Sequence, residues 1–241
     1  IATHLSTELS EGADIYTATL DSDTIDALGG DDLVDGLAGD DVITGGRGND
    51  TLRGGAGSDH YRFAVGDGSD LIVDDDVTAD HADVVEFLDV ASSVVTVTRP
   101  HNGNDLVLAY GGSDRLTIQA YFAGASHQIE EFRFADSVRW NVGDLQERVL
   151  VTGTAGKDVI NGQAGIDNRL YGVDGDDSLN GAEVADTLAG GRGNDRLAGG
   201  FGADIYLFAN GDGADVINET NDTNGTVDTL RLTDLAAAAV S

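Results

Sequence analysis

The sequence predicts an all-β fold in which very short parallel strands stack into two blocks, with a small antiparallel β segment between the blocks. One observation is a row of aspartates nine residues apart, each followed two positions later by a large apolar residue. The other is that the pattern recurs 145 residues further along the chain, where Gly190 takes the place of Gly45. A strict short period with one carboxylate and one core residue per repeat is typical of a stacked coil.

The first row contains six repeats of nine residues, here called nonads. Each nonad would form one turn and one short strand, so two nonads complete a coil and the turns along one edge lie eighteen residues apart. The carboxylates would then stand in columns along the edges, with the apolar residues pointing inward. The aspartates are Asp14, Asp23, Asp32, Asp41, Asp50 and Asp59, and the apolar residues are Tyr16, Ile25, Val34, Ile43, Leu52 and Tyr61.

Glycines in the sharpest nonads, residues 45–53 and 54–62, favour cation binding by the turns. Glycine adopts positive φ at little cost, and the tight turns that it allows expose main-chain carbonyl groups to a common centre. Calcium takes about six to eight oxygen ligands in irregular geometry, which aspartates and carbonyls supply together. Strands stack about 4.8 Å apart, so Asp32 and Asp50 in adjacent coils would repel unless a cation lay between them. The sequence therefore predicts several bound Ca²⁺ ions.

Both nonads fit the pattern Gly-Gly-x-Gly-x-Asp-x-U-x, where U is large and apolar. On that motif the chain resembles the RTX (haemolysin-type) calcium-binding repeat family. The resemblance implies a calcium-bound parallel β-roll made of stacked nonapeptide coils. It also implies Gram-negative type I export and a secreted, extracellular or cell-surface location.

A second block repeats the rule with Leu179, Leu188, Leu197 and Tyr206 in the apolar column. One step in its aspartate row is ten residues instead of nine, which indicates an inserted residue and a local bulge within residues 165–171. The row of this block is Asp158, Asp167, Asp177, Asp186, Asp195 and Asp204.

The nonads differ in how well they match the motif. Those around Asp14 and Asp23 lack most of the glycines, and the one around Asp186 is degenerate, so we expect weak or missing ions there. We expect the best sites at Asp32, Asp41, Asp50 and Asp59, then at Asp177, Asp186, Asp195 and Asp204. The full predicted ligand set adds Asp14, Asp23, Asp158 and Asp167, with main-chain carbonyls from Gly36, Gly45, Arg47, Gly54, Gly172, Gly190, Arg192 and Gly199.

Between the blocks the nine-residue period stops and short alternating stretches predict antiparallel strands at 84–88, 93–98, 105–110, 115–119 and 129–134. Residues 119–122 and 132–140 resemble the small β domain that often follows haemolysin-type repeats, although the family usually has Gly where this chain has Ser137. We expect the segment to cap the roll, whose last coil would otherwise present unpaired strand edges. The predicted domains are 9–62, the first roll block; 63–150, the capping segment; 151–207, the second roll block; and 208–241, the start of a second, truncated capping segment.

Composition narrows the possible partners. A net charge of −31 argues against nucleic acid, which requires basic patches. No apolar run of about eighteen residues exists, so no membrane span is expected. The five histidines show no zinc spacing and no nucleophile-elbow motif is present, so we expect no catalysis within these residues.

Asp67 and Asp70, with their equivalents Asp212 and Asp215, follow the last nonad of each block. They either complete an end site or form a turn.

Three functions remain open from the sequence. The first is a calcium-binding structural module of a large secreted or surface protein, such as an adhesin or surface-layer component, which folds on calcium binding after export. Its partners would be calcium, neighbouring copies of the same module, the cell surface and other domains of the same chain. The alternative is the non-catalytic C-terminal region of a type I-secreted enzyme or toxin, such as a protease, lipase or epimerase. The third is a carbohydrate-binding module with an exposed aromatic platform, for which Tyr110, Tyr121, Phe122 and Trp140 are the candidates.

Overall fold

The computed structural model describes residues 9–77, 81–219 and 226–234. The described chain forms two compact units, one from residues 1–97 and 104–146 and the other from residues 98–103 and 147–241. Strands dominate both units. The described residues contain one short α-helix, α1 (Val142–Gln146), and single 3₁₀ turns at Ser92–Val94, Tyr121–Ala123 and Ala125–His127.

The first block in the first unit is a parallel roll, which confirms the predicted fold class. Its strands are β1 (Ile15–Thr17), β2 (Thr24–Asp26), β3 (Leu33–Asp35), β4 (Val42–Thr44), β5 (Thr51–Arg53) and β6 (His60–Phe63). Strand β1 pairs in parallel with β3, and β3 with β5, while β2 pairs with β4, and β4 with β6. Ile15 lies opposite Leu33, eighteen residues on, so two nonads complete one coil as the period predicts.

The central residue of each of these strands from β2 to β6 is buried. Val34, Ile43 and Leu52 have no exposed surface, and Tyr61 is 1 % exposed. Burying a side chain of this size contributes about 1.5–3 kcal/mol. Each nonad is therefore anchored by one apolar residue, and the stack of such residues forms the core of the roll.

After the roll, further strands follow in the chain: β7 (Ser69–Ile72), β8 (Val84–Phe87), β9 (Thr96–Pro100), β10 (Leu106–Tyr110), β11 (Asp114–Ile118), β12 (Glu131–Arg133) and β13 (Arg139–Asn141). The pair β10 with β11 is antiparallel as predicted, and β12 pairs in antiparallel with β13, a strand that was not among those predicted. The prediction is wrong for the strands that join the roll, because β11 pairs in parallel with β7, and β12 in parallel with β8. Strands β7 and β8 themselves continue the roll from β5 and β6, so the segment extends both of its sheets.

Aromatic side chains fill the interior of this segment. The ring of Phe87 stacks on Phe134 at 5.3 Å and meets the edge of Tyr110 at 4.8 Å, and Phe134 lies 4.3 Å from Trp140. Tyr110, Tyr121 and Trp140 are buried, so three of the four candidates for an exposed sugar platform belong to the core. Ser137 adopts a φ of +65°, the left-handed conformation that glycine favours, in the turn between β12 and β13.

The second unit repeats the roll. Its strands are β14 (Leu150–Thr152), β15 (Val159–Asn161), β16 (Arg169–Asp174), β17 (Ser178–Ala182), β18 (Thr187–Arg192), β19 (Arg196–Gly200), β20 (Ile205–Phe208), β21 (Val216–Ile217) and β22 (Thr229–Leu232). Even-numbered strands from β14 to β22 form one parallel sheet, and β15, β17, β19 and β21 form the other. Val159 pairs with Ser178, nineteen residues on, so the inserted residue is absorbed in the first coil. Later coils return to a spacing of eighteen, as in Arg169 against Thr187.

Within the described part of the chain, no helix has the length and apolar character needed to cross a membrane.

Candidate metal sites

The aspartates of each roll stand in two columns joined by hydrogen bonds. In each column the Oδ1 atom of one aspartate accepts the backbone N–H of the aspartate one coil earlier, as from Asp32 to Asp50 at 2.8 Å. These bonds join Asp14, Asp32, Asp50 and Asp70 in one column and Asp23, Asp41, Asp59 and Asp83 in the other. The second unit has the columns Asp158, Asp177, Asp195 and Asp215, and Asn168, Asp186, Asp204 and Asp228.

The second carboxylate oxygen separates the predicted ligands into two groups. In the larger group Oδ2 is buried and has no hydrogen-bond partner among the described residues. A buried polar oxygen without a donor costs about 1–3 kcal/mol, and a charged one costs more. A bound cation, rather than a protein donor, would therefore satisfy these oxygens. The group comprises the predicted ligands Asp32, Asp41, Asp50, Asp59, Asp177, Asp186 and Asp195, and Asp70, which was not among the predicted ligands, has the same unpartnered Oδ2.

A main-chain carbonyl from the next coil approaches the same point. A Cβ atom added at Gly36 would collide with Oδ2 of Asp41 and would lie 2.5 Å from the carbonyl oxygen of Gly54. At Gly181 the colliding atoms are Oδ2 of Asp186 and, at 2.6 Å, the carbonyl oxygen of Gly199. The first glycine of the nonad therefore leaves a cradle in which a carboxylate and a carbonyl oxygen converge. Calcium prefers such oxygen ligands.

Two of the other predicted carbonyls share this arrangement, and the rest have different surroundings. Those of Gly172 and Gly190 approach the first glycine of the preceding coil as Gly54 does. The carbonyls of Arg47 and Arg192 accept backbone N–H groups at 2.7 Å, and that of Gly36 accepts one at 3.1 Å. The Cα of Gly45 faces Oδ2 of Asp50 in its own turn. A carbonyl oxygen has two lone pairs, so one hydrogen bond leaves it able to bind a cation.

Backbone conformation separates the nonads in the same way. Eight nonads, called positive-φ nonads below, have a positive φ at their second residue: Leu28, Leu37, Gly46, Gly55, Val173, Ala182, Gly191 and Gly200. Four of these eight residues are not glycine, and a β-branched residue such as Val173 at φ +89° is a genuine outlier. Strain of this kind costs about 1–3 kcal/mol and clusters at ligand sites. The degenerate nonad of Asp186 is among the eight, so it adopts the same turn as the glycine-rich ones.

The remaining four nonads, called clasped nonads below, satisfy the second polar atom of the column side chain with hydrogen bonds inside the protein: Oδ2 of the three aspartates accepts them, and Nδ2 of Asn168 donates them. Thr154 donates to Oδ2 of Asp158 through its N–H at 2.6 Å and its hydroxyl at 2.9 Å. These bonds hold the pKa of Asp158 below its usual value, with His101 close by at 3.2 Å. Ser10 clasps Asp14, and Thr19 clasps Asp23, in the same way. Their Oδ2 atoms are thus already satisfied without a metal.

The fourth clasped nonad corrects the sequence analysis. Asp167 is exposed, and Asn168 stands in the column in its place, with 5 % exposure and its N–H donated to Oδ1 of Asp186 at 2.6 Å. The insertion lies before the column position, so a count of nine residues from Asp158 ends on the wrong neighbour. An amide at this position donates hydrogen atoms and does not present a second carboxylate oxygen, so the residues here do not fit calcium.

The electrostatics of the positive-φ nonads favour a nearby cation. Burial, with neighbouring carboxylates, raises the pKa of Asp50, Asp59, Asp186 and Asp195 to about 6. The pKa of Asp70 rises to about 7 for the same reasons. Crowded buried carboxylates are stable either protonated or next to a positive charge. The geometry and the charge therefore point to the same ligand class, a divalent cation with oxygen ligands.

Comparison with known protein families agrees with this chemistry. The model of the RTX calcium-binding nonapeptide repeat matches residues 10–43, 28–61, 35–72, 150–179, 171–206 and 181–217, which together make up more than half of the chain. The chain belongs to the RTX calcium-binding repeat family. Residues 105–144 match the haemolysin-type calcium binding protein related domain. Repeats of this family are non-catalytic calcium-binding modules, so the two RTX blocks bind Ca²⁺.

Solved structures similar to this RTX chain include two from bacteria. The AlgE6R3 subunit of the Azotobacter vinelandii mannuronan C5-epimerase is 26 % identical with a TM-score of 0.41, and the match covers 56 % of this chain and 86 % of that chain. The extracellular lipase LipA from Serratia marcescens is 18 % identical with a TM-score of 0.28. That match covers 92 % of this chain but 31 % of the lipase. A search of curated proteins finds no match.

Several residues at the ends of the RTX columns were not among the predicted ligands. Asp83 and Asp228 occupy the next position after Asp59 and Asp204, at a spacing of 24 residues instead of eighteen. For Asp70 the sequence allowed two roles, completing an end site or forming a turn. Asp70 is 3 % exposed and continues the column of Asp14, Asp32 and Asp50. The signal that could have found them is the 145-residue offset, which relates Asp70 to Asp215 and Asp83 to Asp228.

Proposed function

We propose that this RTX chain is a structural module of a large secreted or cell-surface protein, of adhesin or surface-layer type, which folds when it binds calcium outside the cell. The observation that carries the proposal is the buried Oδ2 atom, without a protein donor, of eight aspartates, called ion-facing aspartates below: Asp32, Asp41, Asp50, Asp59, Asp70, Asp177, Asp186 and Asp195. A folded, calcium-free roll would have to bury these charges or protonate them. Both are costly at neutral pH.

Mass action gives the size of the effect. At calcium ten times above Kd, each site stabilises the folded state by about 1.4 kcal/mol. If each of the eight positive-φ nonads holds one ion, the total is about 11 kcal/mol, comparable with the stability of a whole domain. Extracellular modules have Kd values of about 10⁻⁴–10⁻³ M. At about 10⁻⁷ M calcium, where cytosolic sensors begin to respond, the same expression gives almost nothing.

The charge of the chain supports an expanded calcium-free state. A net charge of −31 over 241 residues opposes compaction by self-repulsion. Calcium would neutralise the columns and remove much of this repulsion. An expanded chain in the producing cell and a rigid one outside is compatible with the Gram-negative type I export that is typical of RTX proteins.

Repetition favours the structural reading over the alternative. The same columns, turns and clasps recur in both units, with equivalent residues such as Gly45 and Gly190 offset by 145. Tandem repetition extends length and multiplies contacts more readily than it builds one catalytic site. The alternative, a non-catalytic region attached to a secreted enzyme or toxin, would be favoured by a catalytic motif in flanking sequence.

Calcium titration of the EGTA-stripped chain tests the proposal. We expect several cooperative sites by calorimetry and a gain of strand signal by circular dichroism. Binding that leaves the spectrum unchanged would contradict folding on calcium. An absence of binding up to about 10 mM calcium, beyond the extracellular range, would contradict ligation by the aspartate columns.

A further inference from the structure

The coil that contains Asn168 differs from the ion-facing coils in the atom that contacts the carbonyl oxygen of the next coil. Nδ2 of Asn168 lies beside Gly162 and the carbonyl of Gly181, the place that Oδ2 takes in the nonads of aspartate. It donates to the carbonyl oxygens of Gly181 at 2.9 Å, Gln163 at 3.0 Å and Ile166 at 3.0 Å. It also donates to Oδ1 of Asp186 at 2.9 Å.

Four oxygens therefore surround one nitrogen that carries two hydrogen atoms. In an ion-facing coil a carboxylate oxygen and the carbonyl of the next coil would be bridged by the ion. Here the amide makes the link directly, and the Oδ1 atom of Asn168 accepts the N–H of Gln163 at 2.8 Å. Every polar atom of the side chain is satisfied, at 5 % exposure, without a metal.

We propose that Asn168 closes its coil in place of calcium, which makes this coil an ion-independent clasp within an ion-dependent roll. The inference rests on the proposed function, since it concerns which coils use calcium. A neutral amide donates to carbonyl groups that a cation would otherwise attract. Calcium entering the coil would have to displace the amide nitrogen from the four oxygens around it and would find no carboxylate on Asn168.

The test is a gain of function. Asn168→Asp restores the carboxylate, so we expect calorimetry to find one more calcium ion per chain than in the wild type. Asn161→Asp is the matched control, because it adds the same charge at an exposed position and is expected to leave the number of ions unchanged. Asn168→Ala removes the donor, so we expect an unchanged number of ions and a lower unfolding midpoint in saturating calcium.

The outcomes separate the inference from the proposed function. If the wild type binds no calcium, the proposed function fails. If the wild type binds calcium and Asn168→Asp binds the same number while folded by circular dichroism, the inference is wrong. A loss of one ion in Asn168→Ala would also overturn it, because the wild-type coil would then hold calcium.

An independent observation concerns the end of the first roll. Three acidic side chains come together beyond its last nonad: Asp74 and Asp83 from the connection between β7 and β8, and Glu130 from the residue before β12. Asp83 is 1 % exposed, accepts the N–H of Asp59 at 2.7 Å and donates its own N–H to Glu130 at 2.7 Å. Asp74 is 4 % exposed, and its Oδ2 has no hydrogen-bond partner among the described residues. Burial together with the neighbouring acids raises the pKa of Asp83 to about 8 and that of Asp74 to about 6.

An imidazole enters this cluster. Ligand atoms of His81, Asp83 and Glu130 all lie within 4.8 Å of one another. Nε2 of His81 is 3.9 Å from Oε1 of Glu130, and its Nδ1 is 3.7 Å from Oδ2 of Asp76. The ion-facing nonads offer oxygen alone, whereas this group adds a nitrogen ligand. Asp74 lies close enough for His81 and Glu130 to shift the pKa of its carboxyl group, and its buried Oδ2 has no hydrogen-bond partner among the described residues.

We infer that His81, Asp83 and Glu130, with Asp74 beside them, form a mixed imidazole–carboxylate site for a divalent transition metal such as zinc. Zinc binds His nitrogen and carboxylate oxygen at about 2.0–2.2 Å, so the side chains would close around the ion by small rotations. The second unit provides an internal comparison. Its equivalent cluster, Asp204, Glu219 and Asp228, contains oxygen ligands only, and Thr226 takes the place of His81.

Zinc titration of the calcium-saturated chain tests the site. We expect one zinc ion with an affinity that falls at least tenfold in His81→Ala, with the calcium content unchanged. His60→Ala is the control, since His60 also lies beside a carboxylate, Glu86, but outside the cluster. Glu130→Gln keeps the acceptor for Asp83 and should also weaken zinc binding. Equal zinc affinity in wild type and folded His81→Ala, or no zinc uptake at saturating calcium, would overturn the inference.

Discussion

Replacing Asp41 by asparagine tests the ion columns most directly, because the neighbouring Asp40 provides a charge-matched control in the same turn. Asp41 is 1 % exposed, its Oδ1 accepts the N–H of Asp23, and its Oδ2 has no donor. Asp40 is exposed, and its Oδ1 accepts the N–H of Ser58. Asparagine keeps Oδ1 as an acceptor at both positions, so only the charge and the second oxygen change.

The expected cost depends on calcium. At calcium ten times above Kd the loss of one ion removes about 1.4 kcal/mol, and the loss of two ions that share the carboxylate removes about 3 kcal/mol. At calcium equal to Kd the term for one ion falls to about 0.4 kcal/mol. Asp40→Asn is a surface substitution and should stay within about 0.5 kcal/mol at either concentration.

Urea denaturation at the two calcium concentrations measures this difference, and calorimetry counts the ions. We expect Asp41→Asn to bind at least one ion fewer and to lose less stability at the lower calcium concentration. A loss of stability that is the same at both concentrations would show that the charge and the second oxygen of Asp41 stabilise the fold without calcium. The reasoning would then be refuted for the whole group of ion-facing aspartates.

Four further predictions use the same structure. Val173→Gly relieves a β-branched residue at positive φ and should raise the unfolding free energy by about 1 kcal/mol. Gly191→Val places a side chain against the carbonyl of Val173 at the equivalent position and should lower the thermal midpoint. Thr154→Val removes one donor to Asp158 and should cost about 1 kcal/mol in urea without changing the calorimetric number of calcium ions. Burial raises the pKa of Asp50 and Asp59 to about 6, above an unfolded value of about 3.9. Protons therefore stabilise the calcium-free fold at low pH, and this stabilisation is lost as the pH rises through about 6. The EGTA-treated chain should gain strand signal by circular dichroism between pH 7.5 and 4.5, and a calcium-free spectrum that does not change with pH would contradict this.

Periodicity predicts the roll because one physical requirement repeats at each nonad. A buried residue such as Val34 must point inward every nine residues, and a carboxylate such as Asp32 must meet the turn of the adjacent coil. Both demands act at short range in the sequence, so a single chain reveals the strands, the register and the columns. The same reasoning predicted a ligand aspartate in each of the eight positive-φ nonads, including the degenerate one around Asp186.

Where the period is interrupted, spacing no longer identifies the residue that enters the column. The inserted residue in the second block leaves Asp167 and Asn168 as candidates, and a preference for carboxylates selects Asp167. The structure selects Asn168 because the position requires a side chain that fits between Gly162 and the carbonyl of Gly181. The side chain of Asn168 also satisfies that carbonyl with a hydrogen bond.

Strand direction in the capping segment was not accessible to the same reasoning. Alternation of apolar and polar residues marks a strand whose one face is buried, and it is the same for either direction of pairing. The long connections from β7 to β11 and from β8 to β12 allow parallel crossovers. Strands β7 and β8 form the open edges of the roll, and their directions are fixed by parallel pairing with β5 and β6. These edges then determine how β11 and β12 pair.

Both rolls place their clasped nonads first and their positive-φ nonads afterwards. Asp14, Asp23, Asp158 and Asn168 open the columns. Serine or threonine hydroxyls donate to the three aspartates, and Asn168 donates to the carbonyl oxygen of Gly181. Each block therefore begins with a coil whose hydrogen bonds do not depend on calcium. Such a coil presents the backbone N–H groups on which the first ion-facing aspartates, Asp32 and Asp177, are held. Because the same order occurs in both units, we expect calcium-driven folding to extend each roll from its clasped coil toward the column ends.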